Sequence, residues 1–283
     1  MHHKFKRVIV LLNQEEQMDR LLKRGVEFSQ QHNTTLEVLY VHEEPLFDIP
    51  DYFLSDEKIH EGQVDTQKIK KEIQKRLKEI DTTKEHAVLV YIDDTVDRVL
   101  NYTKDDNHIL IICNYHTDIT PNLIMKSSCA YWINKGDRDK YNNIVLPIEL
   151  KDESRKSITI AKHIFPKSKL HLVYDYRFLF DILEVQEDYL NIVPTTMDYE
   201  SYEEIRDINK KEFEDFVKEF NVEGHFMEGE GLLHEDLIEY IQKNSFDLTL
   251  FYHNVEELFF SPAVTVKLLE ALETDFFIHT IKD

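Results

Sequence analysis

The sequence contains few cysteines, no long apolar run and no recognisable leader. Its two cysteines, Cys113 and Cys129, form no C-x-x-C pair and have no histidine at zinc-finger distance, so neither a disulfide framework nor a structural metal is expected. We expect both thiols to be reduced and buried. No apolar stretch approaches the roughly 20 residues of a membrane-spanning helix, and the first residues lack a signal-peptide pattern. The sequence therefore predicts a soluble, cytoplasmic protein.

Positive charge is scarce as well. The chain has 34 lysines and arginines against 55 aspartates and glutamates, which gives a formal net charge of −21 at pH 7. The acidic residues are spread along the chain, so a negative field should cover most of the surface. Nucleic-acid binding depends largely on lysine and arginine displacing counterions from phosphates, and no basic stripe is present. Nucleic acid and anionic membranes are therefore not expected partners.

The chain contains one order of structural elements twice. The strand-like run KRVIVLLN, at residues 6–13, precedes a helix-period pattern and a second strand, TLEVLYVHE. From Asn142 the order recurs as NNIVLPIE, an amphipathic helix and KLHLVYDY. Each copy continues with a long amphipathic helix, a strand, a helix, an apolar strand, and a closing helix and strand. We divide the chain into two domains, residues 1–138 and 139–283.

The alternation of strands and helices predicts the fold class. It favours right-handed crossovers and a mainly parallel sheet covered by helices on both faces. The run ILIIC at residues 109–113 is typical of a strand buried on both faces. The prediction is an α/β protein of two tandem Rossmann-like domains with five strands each. The helical periods predict these core side chains: Met18, Leu21, Leu22, Gly25, Phe28, Ile69, Ile73, Leu77 and Ile80 in the first copy, and Ile158, Ala161, Ile164, Phe165, Phe213, Phe216, Val217 and Phe220 in the second.

The second copy resembles a known family most clearly. The run NIVLPIELKDESRKSITIAKHIF followed by LHLVYDY, and SPAVTVKLLEALETDFFIH at residues 261–279, are similar to the opening and closing elements of universal stress proteins. In the first copy LIMKSSCAYWIN holds the place of the closing elements, with a shorter helix. The resemblance implies an adenine nucleotide alpha hydrolase-like domain, and often a dimer in which the last strands of two domains meet. Two copies in one chain could pair internally as a pseudo-dimer, and a homodimer stays open.

The phosphate-binding loop of that family is missing. Many members bind ATP or AMP through a loop after the fourth strand with the pattern G-x-x-G, nine residues, then G-S/T, in which glycines aim backbone N–H groups at the phosphates. No glycine lies at residues 114–128 or 253–263. Acidic residues and prolines stand there instead: Asp118, Pro121, Glu256, Glu257 and Pro262. Carboxylates repel phosphates and prolines lack N–H donors, so no cofactor is expected, with ATP or AMP as the less favoured alternative.

Two equivalent strands end in a tyrosine and a histidine. Tyr115 and His116 end one strand, and Tyr252 and His253 end its counterpart in the second copy. Open parallel sheets bind ligands at the carboxyl ends of their strands, so these four side chains are candidate ligand contacts. Each pair could instead cap its strand by hydrogen bonding to a neighbour.

Further candidates come from the resemblance. Asn13 and Glu149 stand near the position of the family's adenine-contacting aspartate, and Glu149 could accept a hydrogen bond from an amine. Ser261 aligns with the terminal serine of the family's loop, although it could equally be a helix N-cap. Val41 and Tyr174, near the ends of the second strands, complete the candidate set.

No set of side chains predicts catalysis or a metal site. The clusters at residues 42–44 and 234–236 lack the ligand spacing of a metal site. Asp93, Asp94 and Asp97 precede a helix and are better explained as caps. Because no nucleophile, base and orienting group can be matched, we expect a protein that is not an enzyme, with weak ATPase activity as the alternative.

Two functional hypotheses remain. The first is a non-enzymatic stress-response protein that acts through protein partners, and the second is a sensor that binds an adenine nucleotide or another small ligand at the carboxyl ends of the strands. The segments at residues 45–62 and 178–205 mix aromatic and acidic side chains and are longer than simple connections. They could be a docking surface or could pack over a domain interface. The missing loop and the acidic field favour the first hypothesis.

Overall fold

The computed structural model describes residues 5–13, 18–43, 64–104, 106, 108–176, 199–228, 235–253 and 262–280, with the backbone alone at 199–202, 253, 262, 263 and 280. The first elements are β1 (Arg7–Leu12), α1 (Met18–His32), β2 (Thr35–Glu43), α2 (Thr66–Ile80), β3 (Ala87–Asp93), α3 (Thr95–Thr103), β4 (Ile109–Asn114), α4 (Thr120–Lys126) and β5 (Ala130–Asn134). The next are β6 (Asn143–Pro147), α5 (Asp152–Ile164), β7 (Lys169–Asp175), α6 (Tyr199–Phe220), β8 (Glu223–Met227), α7 (Glu235–Lys243), β9 (Leu248–His253), α8 (Pro262–Ala271) and β10 (Asp275–Thr280).

The described residues fall into two compact units, one within Lys4–Tyr131 and one within Trp132–Asp283. In the first unit the strand order is β3-β2-β1-β4, and in the second it is β10-β9-β6-β7-β8. The neighbouring strands within each of these orders are parallel. In each unit the first strand of these orders, β1 or β6, is an inner strand. The next two strands are added on one side of it and the later strands on the other side, so the strand order reverses beside β1 and beside β6. The predicted α/β fold with a mainly parallel sheet is confirmed.

The helices present the predicted apolar stripes to the core. Burying a large apolar side chain is worth about 1.5–3 kcal/mol, so these stripes attach the helices to the sheets. The buried members are Met18, Leu21, Leu22, Gly25 and Phe28 in α1, Ile73 and Leu77 in α2, Ile158, Ala161 and Ile164 in α5 with Phe165 just beyond it, and Phe213 and Phe216 in α6. Ile69, Ile80, Val217 and Phe220, at the margins of the stripes, are half-buried.

Both cysteines lie in this apolar interior. Cys113 ends the buried run of β4 and Cys129 immediately precedes β5, and both are free and buried. Burial raises the pKa of the Cys113 thiol to about 12 and raises that of Cys129 as well. The expectation that both thiols are buried is confirmed, and because of the raised pKa neither is a thiolate near neutral pH.

Asp93 and Asp94 were both predicted as helix caps, and their side chains have different partners. The Asp94 carboxylate accepts the N–H of Asp97 at 2.7 Å, so it is the N-cap of α3 as predicted. Asp93 instead pairs with Arg98, whose Nε lies 2.8 Å from its carboxylate. Glu43, considered above as a metal-ligand candidate, accepts the N–H of Thr95 at 3.1 Å and so also stabilises the start of α3.

Gly25 marks a close approach between α1 and the sheet. A Cβ added there would overlap the Val10 side chain of β1 and come within 3.0 Å of Leu36 in β2. Val10 is β-branched and has few alternative rotamers, so it cannot move aside easily.

Gly25→Ala should therefore lower the free energy of unfolding by up to about 2 kcal/mol. Alanine is the better helix former by about 1 kcal/mol, but overpacking a close-packed core costs about 1–3 kcal/mol. Urea denaturation followed by circular dichroism measures the difference. Lys23→Ala, on the exposed side of the same helix, is the control and should change it by less than about 0.5 kcal/mol. An alanine variant at least as stable as the parent would contradict the close approach.

A buried aspartate ends α2. The Asp81 carboxylate accepts the hydroxyl and the N–H of Thr83 at 2.6 and 2.8 Å, and its other oxygen lies 3.0 Å from Nε2 of His86. The bonds from Thr83, followed by that from His86, hold the pKa of Asp81 well below its usual range. Because the folded pKa lies below the unfolded one, the ionised carboxylate stabilises the fold at neutral pH.

This stabilisation should be complete above the ordinary carboxyl pKa of about 4 and should be lost as the pH falls below it. Asp81→Asn should lower the Tm at neutral pH, and the difference from the parent should shrink below about pH 4. Calorimetry over a pH series measures both. Glu79→Gln, an exposed neighbour on α2, should leave the Tm unchanged throughout. A parent-to-variant difference that is constant down to acid pH would refute this role of Asp81.

The segment at residues 135–141, called the connector below, is held by a buried carboxylate. The N–H groups of Lys135 and Gly136 donate to Oδ1 of Asp275 at 2.9 and 3.0 Å, and the Tyr141 hydroxyl donates to its Oδ2 at 2.6 Å. Asp275, the first residue of β10, is fully buried. The connector is therefore part of the second unit, fixed by three hydrogen bonds.

An aromatic cluster lies beside the connector. It consists of Trp132, Tyr141, Phe165 and Phe277, and five of its ring pairs have centroids 5.4–5.9 Å apart. Nε1 of Trp132 donates to the Tyr141 hydroxyl at 3.1 Å. Because Trp132 is the only tryptophan of the chain, its fluorescence reports on this cluster alone.

Candidate functional site

Three predicted candidates meet at the carboxyl edge of the first unit. Asn13 follows β1, Val41 lies in β2 and Tyr115 follows β4. The parallel registers of β1 with β2 and with β4, continued to the ends of the strands, place these residues level with one another. Val41 is fully buried, and Asn13 and Tyr115 are half-buried. The three candidates therefore lie side by side at one edge of the sheet, and the use of that edge as a ligand site stays a prediction.

The turn from β4 to α4 uses its own N–H groups. The N–H of His116 donates to Oγ1 of Thr120 at 2.9 Å, and the N–H groups of Ile119 and Thr120 donate to the His116 carbonyl oxygen at 3.2 and 2.9 Å. Within residues 114–128, all of which the structure describes, none has a positive φ. A phosphate cradle needs several free N–H groups turned to one side by alternating backbone conformations. This turn supplies none from these three residues.

The His116 ring contributes one polar atom to the same place. Its Nδ1 is buried and has no hydrogen-bond partner among the described residues. Buried polar atoms are nearly always paired in folded proteins, so such an atom marks a place where a small molecule or water could bind.

Glu149 and Tyr252 meet at the carboxyl edge of the second unit. The Glu149 carboxylate is buried and pairs with Nζ of Lys151 at 2.7 Å. The backbone N–H of Glu149 donates to Oγ of Ser154 at 3.1 Å. The Ser154 hydroxyl is 3.4 Å from that of the buried Tyr252. Two of the predicted candidates are therefore joined through a serine that the sequence did not single out.

Tyr174 lies on the same edge but belongs to the core. Its ring stacks on Phe213 of α6 with centroids 6.1 Å apart and lies 5.5 Å from Phe226 of β8. The side chain is 1% exposed, and burial raises its pKa above the usual range. The ring fills the space between α6 and β8, so its contacts are those of packing.

A serine and a histidine that the sequence analysis missed lie beside this edge. Oγ of Ser157 in α5 is 2.8 Å from Nε2 of His279 in β10, although 122 positions separate them in the chain. Such a contact is the first half of an activated-nucleophile arrangement. Both side chains are buried, at 2% and 0% exposure, so a substrate could not reach the hydroxyl in this conformation.

A known family resembles the first part of the chain. Residues 4–136, slightly less than half of its length, match the family model of the Universal stress protein family. No curated protein sequence matches the chain.

Solved structures resemble this chain in fold over nearly its whole length. A universal stress protein from Archaeoglobus fulgidus DSM 4304 is 11% identical, with a TM-score of 0.61 and coverage of 100% of this chain and 98% of that chain. A functionally unknown protein from Pseudomonas aeruginosa PAO1 is 15% identical, with a TM-score of 0.58 and coverage of 98% and 93%.

Several predictions lie outside the described residues. Ser261 and the acidic pair at residues 256–257 are among them, and so are residues 45–62 and 178–198 of the two aromatic-acidic segments. His253 ends β9, opposite Thr280 of β10, with its backbone alone described. Their roles stay predictions.

Two features are absent from the described part of the chain. No group of three or more histidine, cysteine or carboxylate side chains there could hold a metal ion. None of the helices there combines the length and the apolar character needed to cross a bilayer.

Proposed function

We propose that this chain is a non-enzymatic stress-response protein of the universal stress protein type, which works in the cytoplasm through protein partners and does not bind ATP. The turn after β4 carries the proposal. Three of its N–H groups already donate within the turn, and binding a triphosphate there would require breaking these bonds without glycines to reshape the backbone. Each of these hydrogen bonds contributes about 0.5–1.5 kcal/mol, which phosphate binding would have to offset.

Charge supports the same proposal. Asp118 is exposed in the turn of the first unit, and the second unit carries the buried Glu149 at the end of β6. Glu149 is neutralised by one lysine, Lys151, which is then not free to bind a phosphate. With a net charge of −21 over the chain, a polyanion would approach against an unfavourable field.

The proposed organisation is two tandem Rossmann-like domains, residues 1–138 and 139–283, of five strands each, paired as an internal pseudo-dimer. Its support is the repeated order of strands and helices and the fold likeness that covers the whole chain. Since the internal pair would occupy the surface by which single-domain members dimerise, the chain should be a monomer in size-exclusion chromatography with light scattering. A stable homodimer is the alternative outcome and would show that the pairing surface is used between chains.

ATP or AMP at millimolar concentration, with magnesium, should leave the Tm unchanged. A ligand present at a hundredfold excess over its Kd would stabilise the fold by about 2.7 kcal/mol, which is a shift of several degrees in differential scanning fluorimetry. The purified protein should also release no nucleotide on denaturation, as read by mass spectrometry. Stoichiometric release, or a saturable rise in Tm with ATP, would overturn the proposal.

The small-ligand sensor is the second candidate, because the unpaired Nδ1 of His116 favours it. In that case adenosine, which has no phosphate, should bind in calorimetry and His116→Phe should abolish binding. Weak ATP hydrolysis belongs to this alternative only if ATP itself binds.

A further inference from the structure

A cavity of about 550 Å³ opens in the second unit at the amino ends of its strands, opposite to the edge considered so far. It lies where β7 and β8 begin and where α5 and α6 end. Its principal lining residues are Lys162, Phe165, Pro166, Lys169, Leu170 and Val222. The volume falls in the range of about 300–1,000 Å³ that is usual for small-molecule sites.

One wall of this cavity is apolar and rigid. Phe165 and Leu170 are buried, at 8% and 4% exposure, so each shows only part of its surface to the cavity. Phe165 is held by edge-to-face contacts with Trp132 and Phe277, whose centroids are 5.4 and 5.6 Å away. A ring fixed in this way offers a preformed surface for another aromatic group.

Two ammonium groups stand at the opening. Nζ of Lys162 donates to the carbonyl oxygen of Phe220, which ends α6, and so is fixed at the rim. Lys169 is exposed and makes no ion pair with any described residue. In a chain with 55 acidic and 34 basic residues, two lysines beside an apolar wall form a local site for an anion.

The surroundings limit how much negative charge this site can take. The helices α5 and α6 both end here, and the carbonyl ends of helices carry partial negative charge. Glu223, which also lines the cavity, adds a carboxylate that is only 3.2 Å from Nδ1 of His171. Two ammonium groups against these charges suit one carboxylate better than a doubly or triply charged phosphate.

We propose that this cavity binds a small aromatic carboxylate, with its ring against Phe165 and Leu170 and its carboxylate facing Lys162 and Lys169. Binding is coupled to the connector. Phe165 touches both Trp132 and Tyr141, and the Ser168 hydroxyl, also at the cavity, donates to the Tyr141 carbonyl oxygen at 2.6 Å. A bound ring should therefore change the fluorescence of Trp132.

The test is a titration of the full chain with 3-phenylpropionate, followed by Trp132 fluorescence and by isothermal calorimetry. We expect saturable binding with one site. Lys162→Gln and Lys169→Gln should each weaken it about two- to fivefold, as expected for partly exposed ion pairs, and the double variant by about tenfold. Added salt should weaken binding to the parent chain. Lys156→Gln, at the other end of α5, should leave the affinity unchanged.

Matched ligands separate the two halves of the site. 3-Phenylpropanol lacks the charge and propionate lacks the ring, so both should bind at least tenfold more weakly than 3-phenylpropionate. Equal binding of 3-phenylpropanol, or an affinity that the double lysine variant does not change, would overturn the assignment. Saturable binding of AMP in the absence of any response to 3-phenylpropionate would overturn it too.

Discussion

Asp275→Ala is expected to lower the free energy of unfolding of the second unit by about 3–5 kcal/mol, because three donors lose their acceptor and each unsatisfied group costs about 1–3 kcal/mol. The substitution leaves the N–H groups of Lys135 and Gly136 and the Tyr141 hydroxyl without their common acceptor. It also opens a gap at the start of β10, where Asp275 is fully buried. Urea denaturation followed by Trp132 fluorescence measures the loss.

Graded variants test the same interaction. Asp275→Asn keeps one oxygen for the two N–H donors, but its amide nitrogen takes the place of Oδ2 and cannot accept the Tyr141 hydroxyl. The variant should therefore lower the free energy of unfolding by about 1–2 kcal/mol. Tyr141→Phe removes that hydroxyl alone and should resemble the asparagine variant. Asp139→Ala changes an exposed carboxylate of the connector and should change the free energy by less than about 0.5 kcal/mol. An Asp275→Ala variant as stable as the Asp139→Ala variant would disprove the anchoring of the connector.

Phe277→Ala should have an effect of similar size for a different reason. Phe277 is fully buried and packs on Trp132 and Phe165. Truncating a buried phenylalanine to alanine costs about 3–5 kcal/mol, because the transfer free energy is lost and a cavity is left. Water or a shifted Trp132 should then move the emission maximum to longer wavelength, even before unfolding.

The matched control is Ile208→Ala on α6, where the side chain is 59% exposed. It should change neither the emission maximum nor the denaturation midpoint by a measurable amount. If Phe277→Ala kept both the parent's emission and its stability, the aromatic cluster would not support the second unit.

The element order was predictable because periodicity is a local property of the sequence. The run at residues 109–113 reads as a strand buried on both faces, and it is one. The stripe in α2 predicted four core residues. Ile73 and Leu77 are buried, whereas Ile69 and Ile80 at its margins are only half-buried. Alternating strands and helices then leave few topologies other than a parallel sheet.

The contacts that give the sites their character were not predictable in this way. The hydrogen bond between Lys135 and Asp275 fixes the connector, and these two residues are 140 positions apart in the sequence. No local pattern pairs residues at that separation. Glu149 could be placed at a strand end from the sequence, but its partners depend on how α5 turns over β6. The absence of glycine predicted a turn after β4 without a phosphate cradle. Only the structure shows which acceptors its N–H groups use.

The anchoring of the connector also determines where the chain can be divided. A fragment that begins at residue 139 would contain Asp275 and Tyr141 but not Lys135 and Gly136, so the carboxylate would lose the two backbone N–H donors described above. A fragment that begins at Trp132 keeps all three donors and the indole that packs on Phe277. The boundary predicted from the repeated element order places residues 136–138 in the first copy. The hydrogen bonds of the connector make these residues part of the second folding unit.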